Sequence, residues 1–247
     1  VEKQCNLGGA QVVFSALTSN NIDLYIDYAG TDYTDILKHP PINDTKKVYN
    51  TIKKEMADKY NIAVLDQMGF NNTYALAVTK ETASKYNLKT ISDLARVSNN
   101  LKIAPTLEFI NRQDCLPGIE TKYNIKFKDV IGIDGSPRYT ALMNNDAEVI
   151  DAFTTDGLLK KFDLTILQDD KNFFPPYNAI PLVREKTLEK YPEVEDVLNT
   201  LGKYLTDDVM RELNYKVDAL GDSPEEVATD FLSEIDLNIK SSWRNIR

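Results

Sequence analysis

Four aromatic side chains lie where strand-like apolar runs give way to turn-forming residues. They are Tyr28, Tyr74, Phe153 and Tyr177. If these rings converge, they form an electron-rich box for a quaternary ammonium group, and each ring face contributes roughly 0.5–2 kcal/mol by cation–π attraction. Since the chain has 13 Tyr and 9 Phe, ordinary packing is the competing interpretation for any single ring. Four rings at matching positions favour the box.

Composition restricts the class of partner. The 247 residues are 42% hydrophobic and 27% charged, which is typical of a globular chain long enough for one large domain or two small lobes. The 38 acidic and 29 basic residues give a net charge of -9. Because no concentrated Lys/Arg face is visible, we expect no nucleic acid partner. The acidic surface weakly favours cationic ligands, although solubility explains the charge as well.

Catalytic motifs are absent from the sequence. The single histidine, His39, has no second candidate for a metal or acid–base pair, and no nucleophile-elbow, zinc-protease, phosphate-loop or dinucleotide pattern occurs. We therefore predict no enzyme activity, no cofactor and no metal. Abundant Asp and Glu leave a glycosidase-like carboxylate pair as the open alternative. No apolar run approaches the roughly 20 residues of a membrane helix, and we expect Cys5 and Cys115 to be two free, buried thiols.

Short strands alternate with helices along the chain. Helices are predicted over 8–19, 44–60, 92–96, 115–123 and 136–144, and along most of the chain from 185. Strands are predicted over 22–26, 62–65, 74–78, 101–104, 149–153, 164–167 and 179–183. This alternation is typical of α/β proteins, so we expect two α/β lobes with mainly parallel sheets.

Two segments, 69–79 and 172–181, are predicted to cross between the lobes. Pro175-Pro176 stiffens the second segment and prevents helix formation there. Two crossings assign residues 1–77 and 181–247 to lobe I and make 78–180 an inserted lobe II. Proteins of this kind hold a ligand in the cleft between the lobes and close around it by a hinge.

Strand direction then predicts where the rings point. The carboxyl ends of parallel strands face such a cleft. Tyr28 and Phe153 fall at the ends of predicted strands. This placement supports their convergence on one ligand.

Five strings of residues together closely resemble the substrate-binding component of osmoprotectant ABC importers. They cover 22–31, 69–76, 91–95, 149–157 and 169–177, and they include Asp-Ala-Phe-Thr-Thr-Asp-Gly at 151–157 and Phe-Phe-Pro-Pro-Tyr at 173–177. The similarity runs from about residue 1 to about residue 235. The family includes binders of glycine betaine, choline, carnitine and related trimethylammonium compounds, together with relatives that bind ergothioneine.

The resemblance implies a type II-like periplasmic-binding fold and no catalysis. It also implies an extracytoplasmic, monomeric binding component that is tethered to or associated with the bacterial cell membrane. Such a component holds a quaternary ammonium compound in an aromatic cage and delivers it to a membrane permease. Two alternatives stay open: a ligand-sensing domain of a receptor with the same fold, and ergothioneine rather than an osmolyte as cargo.

Site residues follow from the resemblance position by position. The four rings named above match the cage. Thr31, Asn72 and Thr154 lie beside those rings in the sequence and match polar positions that contact the other end of the ligand. Phe153 stands where Tyr is common in the family, which keeps the ring face but removes a hydroxyl.

Arg112 and Asp156 each have two interpretations. Arg112 matches an Arg-x-Asp string common in the family, and its planar guanidinium is suited to clamp a ligand carboxylate. A structural Arg–Asp pair is the equal alternative; the clamp would favour betaine, carnitine or ergothioneine over choline. Asp156 is predicted to cap the following helix rather than contact the ligand, because Asp before a helix start commonly accepts backbone N–H bonds.

Overall fold

The computed structural model describes residues 2–5 and 7–235, which form two compact units. Unit 1 contains the described residues up to Asn71, then Pro176–Val209, then the described residues from Glu225. Unit 2 contains Asn72–Pro175 and Met210–Pro224. The middle of the chain is therefore inserted into a unit formed mainly by the rest.

Helices outnumber strands among the described residues. The strands are β1 Leu24–Tyr28, β2 Ile62–Val64, β3 Tyr74–Val78, β4 Lys102–Ile103, β5 Asp129–Val130, β6 Ile150–Phe153, β7 Thr165–Leu167 and β8 Ala179–Arg184. The α-helices are α1 Ala10–Thr18, α2 Ala29–Thr31, α3 Thr45–Tyr60, α4 Lys80–Tyr86, α5 Ile91–Ala95, α6 Leu107–Asn111, α7 Leu116–Tyr123, α8 Pro137–Met143, α9 Gly157–Lys161, α10 Glu185–Lys190, α11 Glu193–Tyr204, α12 Asp207–Tyr215 and α13 Pro224–Glu234. Wider π-helical turns cover Asp32–Ile36 and Lys216–Leu220, and a 3₁₀ turn covers Ser98–Asn100.

Unit 1 is built on a three-stranded sheet in the order β1-β8-β2. The central strand β8 runs antiparallel to both neighbours, and Tyr28 at the end of β1 pairs with Ala179 at the start of β8. Helix α3 covers this sheet with three apolar residues at four-residue spacing, Val48, Ile52 and Met56, which are buried. Burial of each stabilises the unit by roughly 1.5–3 kcal/mol.

Local signals explain where α3 begins and ends. The Asp44 carboxylate accepts a hydrogen bond from the Lys47 backbone N–H at 2.9 Å, which satisfies a donor of the first turn. Asn61 adopts a left-handed conformation, with φ of 56°, and closes the last turn. The helix predicted over 44–60 is therefore confirmed.

Unit 2 has a three-stranded sheet in the order β6-β3-β7 and a short parallel pair, β4–β5. The central strand β3 runs antiparallel to both neighbours. All five of its residues are buried, as the uninterrupted apolar run over 74–78 indicates. The Thr106 hydroxyl caps α6 by accepting from the Phe109 N–H at 3.2 Å.

The expectation of mainly parallel sheets is wrong. Among the pairings of the eight strands in the described chain, only β4–β5 is parallel. Both β3 and β8 follow a unit boundary. The first residue of β3 pairs with the last residue of β6, and the first residue of β8 pairs with the last residue of β1. A strand that begins where its neighbour ends runs antiparallel to that neighbour. Apolar patterns predict strands but carry no direction.

The unit boundaries lie a few residues before those predicted at 77/78 and 180/181. The segment 210–224 is a larger difference, because its place in the sequence predicts lobe I but it packs in unit 2. Arg211 and Asn214 donate to the carbonyls of Thr154 and Thr155 at 3.1 and 2.8 Å. Such contacts join distant parts of the chain and leave no local signal. The part of predicted lobe I beyond residue 235 lies outside the described residues.

Two sequence expectations concern membrane spans and thiols. Within residues 2–5 and 7–235, the structure contains no helix with the length and apolarity needed to cross a membrane. Cys5 and Cys115 are both free. Cys115 is buried as predicted, but Cys5 is exposed, because residues 2–5 pack against no core.

Candidate ligand-binding site

The two predicted rings of unit 2 contact each other. Tyr74 and Phe153 are opposite residues on β3 and β6, and opposite side chains share one face of an antiparallel pair. Their ring centroids lie 4.6 Å apart, with 34° between the planes. Tyr74 is almost fully buried, and Phe153 is half-buried. The strand register therefore creates an aromatic pair.

Two more rings complete this cluster, and sequence reasoning missed both. The Phe109 centroid lies 5.4 Å from that of Tyr74, and the Phe174 centroid lies 6.3 Å from it. Phe109 stands three residues before Arg112, in a string whose recognisable sequence signal is its charged residues. Phe174 belongs to the Phe-Phe-Pro-Pro-Tyr string, of which only the final Tyr is predicted to contact ligand.

Arg112 lies beside the ring cluster. Its guanidinium carbon is 5.7 Å from the centre of the Tyr74 ring. Nε and Nη2 donate to both carboxylate oxygens of Asp114, at 2.9 and 2.6 Å, and Nη1 donates to Glu108 at 2.7 Å. This bidentate arrangement is the structural Arg–Asp pair that the sequence leaves open, and it fixes the guanidinium next to the Tyr74 ring.

Asn72 and Thr154 lie in neighbouring turns of unit 2. The Thr154 N–H donates to the Thr73 carbonyl at 3.0 Å. The buried Thr155 hydroxyl donates to Asn72 Oδ1 at 2.6 Å, which directs the amide Nδ2 of Asn72 the other way. Thr155 is a further residue that the sequence did not indicate, because its partner lies 83 positions away.

Asp156 does not cap α9 with its side chain. It occupies the N-cap position, but no helical N–H donates to its carboxylate. Its Oδ2 accepts instead from the Phe153 N–H at 3.0 Å and from the Tyr139 hydroxyl at 2.6 Å. The predicted cap is therefore wrong. Asp156 instead fixes the backbone of the ring residue Phe153.

Unit 1 carries Tyr28, Thr31 and Tyr177, all half-buried. Tyr28 ends β1, and Thr31 ends the single turn α2 that follows. A Cβ atom at Gly30 would lie 2.7 Å from the Tyr177 ring, so glycine is required for this contact. The Tyr177 N–H donates to Asn71 Oδ1 at 2.7 Å. The ring of Tyr177 therefore packs on the turn that begins at Tyr28.

Two buried carboxyl groups flank that turn. Asp27 accepts from the Tyr28 N–H and the Tyr25 hydroxyl, both at 2.8 Å. Asp32 is fully buried, and neither of its oxygens has a hydrogen-bond donor. Burial raises the pKa of Asp27, and burial together with the charge of Asp27 raises the pKa of Asp32 well above its usual range. Within the part of the chain that the structure describes, no group of three His, Cys, Asp or Glu side chains could hold a metal.

Comparison with known proteins agrees with this architecture. Residues 1–234 match the family described as the substrate binding domain of ABC-type glycine betaine transport system. A Helicobacter pylori (strain G27) protein named ergothioneine transport permease/ergothioneine binding protein EgtU is 38% identical over 93% of this chain and 41% of its own length. The carnitine transport binding protein OpuCC of Listeria monocytogenes serotype 1/2a (strain 10403S) is 34% identical over 95% of this chain and 77% of its own.

A solved structure shows the same fold. It is described as a glycine betaine/carnitine/choline ABC transporter, is 36% identical, and superimposes with a TM-score of 0.88 over 93% of this chain and 85% of its own. The fold is thus that of a two-lobe, type II-like periplasmic-binding protein. The chain belongs to the family of substrate-binding domains of ABC-type glycine betaine transport systems, which confirms the resemblance stated above. It spans less than half the length of the Helicobacter pylori relative.

Proposed function

We propose that this chain binds a small quaternary ammonium compound and delivers it to the permease of an ABC importer. It acts as a monomer outside the cytoplasm, tethered to or associated with the bacterial membrane, without catalysis and without a nucleic acid partner. The observation that carries the proposal is the ring pair Tyr74–Phe153, 4.6 Å apart at the end of β6. Methyl groups on a quaternary nitrogen donate no conventional hydrogen bond, so aromatic faces suit this cation.

The proposed contacts keep the residues predicted from the sequence. The proposed aromatic contacts of the cationic head are Tyr28, Tyr74, Phe153 and Tyr177, and the proposed contacts of the other end of the ligand are Thr31, Asn72 and Thr154. The bond from Thr155 to Asn72 Oδ1 favours this role, since it leaves the Asn72 Nδ2 group to donate to an acceptor such as a carboxylate. Arg112 joins the set as the cation beside Tyr74, and to clamp a ligand carboxylate it would have to exchange bonds with Asp114.

Ergothioneine is a second candidate cargo. Like carnitine, it carries a trimethylammonium group and a carboxylate. A relative whose name includes ergothioneine binding is 38% identical over 93% of this chain, and one named for carnitine is 34% identical over 95%. Both ligands therefore belong in the test.

Isothermal titration with glycine betaine, carnitine, choline and ergothioneine tests the proposal. Each ligand is paired with its primary-amine counterpart, and choline also with the tert-butyl analogue in which carbon replaces nitrogen. We expect micromolar or tighter binding of one trimethylammonium compound and at least tenfold weaker binding of its controls. Equal affinity for choline and its uncharged analogue would show that the aromatic rings do not select for the positive charge of the ligand.

Uptake separates import from the sensing alternative. Membrane vesicles that contain the permease should accumulate labelled ligand only when this chain is added. Binding without uptake would instead support a receptor domain.

A further inference from the structure

Arg138 is a buried cation beneath the end of β6. It is 7% exposed, and its Nε donates to the Asp151 carbonyl at 2.9 Å while Nη1 donates to the Gly135 carbonyl at 2.7 Å. Its Nη2 lies 3.5 Å from Asp156 Oδ2, and its Nε lies 3.4 Å from Asp151 Oδ1. The guanidinium thus joins two carboxylates that lie on either side of Phe153 in the sequence.

The first carboxylate holds Phe153. Asp156 Oδ2 accepts from the Phe153 N–H at 3.0 Å, and the Asp156 N–H donates back to the Phe153 carbonyl at 3.0 Å. The Tyr139 hydroxyl, from the helix that carries Arg138, donates to the same Oδ2 atom at 2.6 Å. Both backbone groups of this ring residue are therefore bonded to Asp156.

The second carboxylate holds helix α6. Asp151 accepts from the Thr106 N–H at 2.9 Å and from the Thr106 hydroxyl at 3.1 Å. The same hydroxyl accepts from the Phe109 N–H at 3.2 Å, and the Phe109 ring packs on Tyr74. Burial raises the pKa of Asp151, and the charge of Arg138 opposes that shift. The start of α6, and with it Phe109, depends on this buried carboxylate.

Packing alone does not explain an arginine here. Burying charge costs desolvation energy, and apolar side chains of similar volume often stabilise a core as well. Arginine differs because its rigid fork donates in several directions at once. In this structure one guanidinium contacts both Asp151 and Asp156, which hold rings on two separate elements.

We propose that Arg138 is a positioning residue for the ring cluster. It links Asp156 to Asp151 and so fixes Phe153 and Phe109 together against Tyr74, without itself touching the ligand. This inference rests on the proposed binding of a quaternary ammonium group at that cluster.

Arg138→Lys tests it, with Arg96→Lys as the matched control. Lysine keeps the charge, but its single ammonium group cannot take all the positions of the guanidinium. Arg96 lies in the same unit on an exposed surface, paired with Asp93. We expect Arg138→Lys to shift the NMR signals of the Phe153 and Phe109 amides together and to weaken trimethylammonium binding roughly 3- to 30-fold, the effect typical of supporting residues outside a site. The control should change neither.

A second variant, Tyr139→Phe, guards against loss of folding. It removes only one bond to Asp156, so it should shift the Phe153 amide but not the Phe109 amide. Unmoved amides in both variants would overturn the positioning role whether or not a ligand binds. Shifted amides with unchanged affinity in Arg138→Lys would overturn the link to the ligand. If the unmodified protein binds none of the four compounds, the proposed function fails, and the amide signals still decide whether Arg138 positions the rings.

Discussion

Tyr28 in unit 1 and Phe153 in unit 2 occupy the same place in two different sheets. Each ends a strand, and each pairs with the first residue of the strand that follows a unit boundary. The partner of Phe153 is another ring, Tyr74, whereas the partner of Tyr28 is Ala179. Unit 2 thus obtains its ring pair from strand register alone, while unit 1 brings a second ring, Tyr177, against the turn through the missing side chain of Gly30.

The buried charges near the two strand ends differ as well. In unit 2, Asp151 and Asp156 share the cation Arg138, and donors from Thr106 and Tyr139 complete the network. In unit 1, Asp27 and Asp32 flank the turn after β1, and neither forms an ion pair within the described residues, while Asp32 lacks any donor. The carboxylates near the end of β6 are therefore paired with a cation, whereas the two carboxyl groups near the end of β1 are not, and their repulsion depends on protonation.

The difference predicts opposite responses to substitution and pH. Removing the cation of unit 2 should leave the buried Asp151 carboxylate uncompensated. Removing a charge from unit 1 should relieve repulsion. Loss of the cation should have the larger effect on stability, because it leaves the buried Asp151 carboxylate and the partly exposed Asp156 carboxylate without their shared partner.

Arg138→Met should lower the free energy of unfolding by about 3–5 kcal/mol, because it leaves the buried Asp151 carboxylate without a cation. Urea denaturation measures the loss. Arg96→Met, at an exposed pair in the same unit, should change stability by less than about 0.5 kcal/mol. Equal effects of the two variants would remove the contrast between the units.

Gly30→Ala should destabilise the protein by about 1–3 kcal/mol through overpacking, since its Cβ would lie 2.7 Å from the Tyr177 ring and 2.9 Å from the Pro176 carbonyl. Displacement of Tyr177 should weaken ligand binding as well. Gly9→Ala is the control, because no atom lies within 4 Å of the new Cβ. Thermal melts of both variants measure the change in stability, and ligand titrations measure the change in affinity. Normal ligand affinity in the Gly30→Ala variant would exclude Tyr177 from the site.

Asp32→Asn should stabilise the protein at pH 7 by about 1–2 kcal/mol, because the amide can donate to Asp27 without carrying charge. The pKa of Asp32 is raised in the folded state, so the folded protein holds a proton that the unfolded chain has lost. The favourable contribution of this group is complete below the usual carboxyl pKa, near 4, and declines as pH rises through the folded pKa. Denaturation curves between pH 4 and 8 should show that the advantage of Asn grows with pH.

The exposed neighbour Asp35 provides the control for that series. Asp35→Asn removes the same charge from the same π-helical turn and should change the pH dependence less than Asp32→Asn, because the charge of Asp35 is only a minor cause of the raised pKa of Asp27. A variant at position 32 that is less stable at every pH would mean that the carboxylate is needed.

Tyr74→Leu should weaken binding of the trimethylammonium ligand at least tenfold, equivalent to about 1.4 kcal/mol, because it removes a π face and the ring that supports Phe153. Leucine keeps the strand packed. Phe127→Leu makes a comparable change in the same hydrophobic core and should leave affinity within twofold. Unchanged ligand affinity in the Tyr74→Leu variant would contradict the assignment of Tyr74 to an aromatic cage in unit 2.

Arg112→Gln should have the smallest effect, below threefold on the ratio of betaine to choline affinity, because the guanidinium is bonded to Asp114 and Glu108. Half-exposed ion pairs of this kind contribute about 0.2–1 kcal/mol. Paired titrations with the two ligands give the ratio. A selective loss of betaine binding would restore the carboxylate clamp that the sequence suggests.

Most helices and strands could be predicted because their signals are local. The four-residue apolar spacing and the Asp44 cap define α3, and the apolar run 74–78 defines β3. The family was recognisable from strings such as 151–157. The antiparallel direction of β3 and β8 could not be predicted, because apolar periodicity is the same in either direction.

The sequence by itself determined that aromatic residues end several strands and that the strings 22–31, 69–76, 91–95, 149–157 and 169–177 are those of one family. It did not indicate that the segment 210–224 packs in unit 2. Tertiary structure decided that Phe109 and Phe174 join Tyr74, that Asp156 bonds to Phe153 rather than to its helix, and that Arg138 connects Asp151 with Asp156. The physical reason is the separation along the chain over which each kind of interaction acts. Caps and apolar periods act over three or four residues, whereas a ring contact or a buried ion network depends on which distant segments fold together.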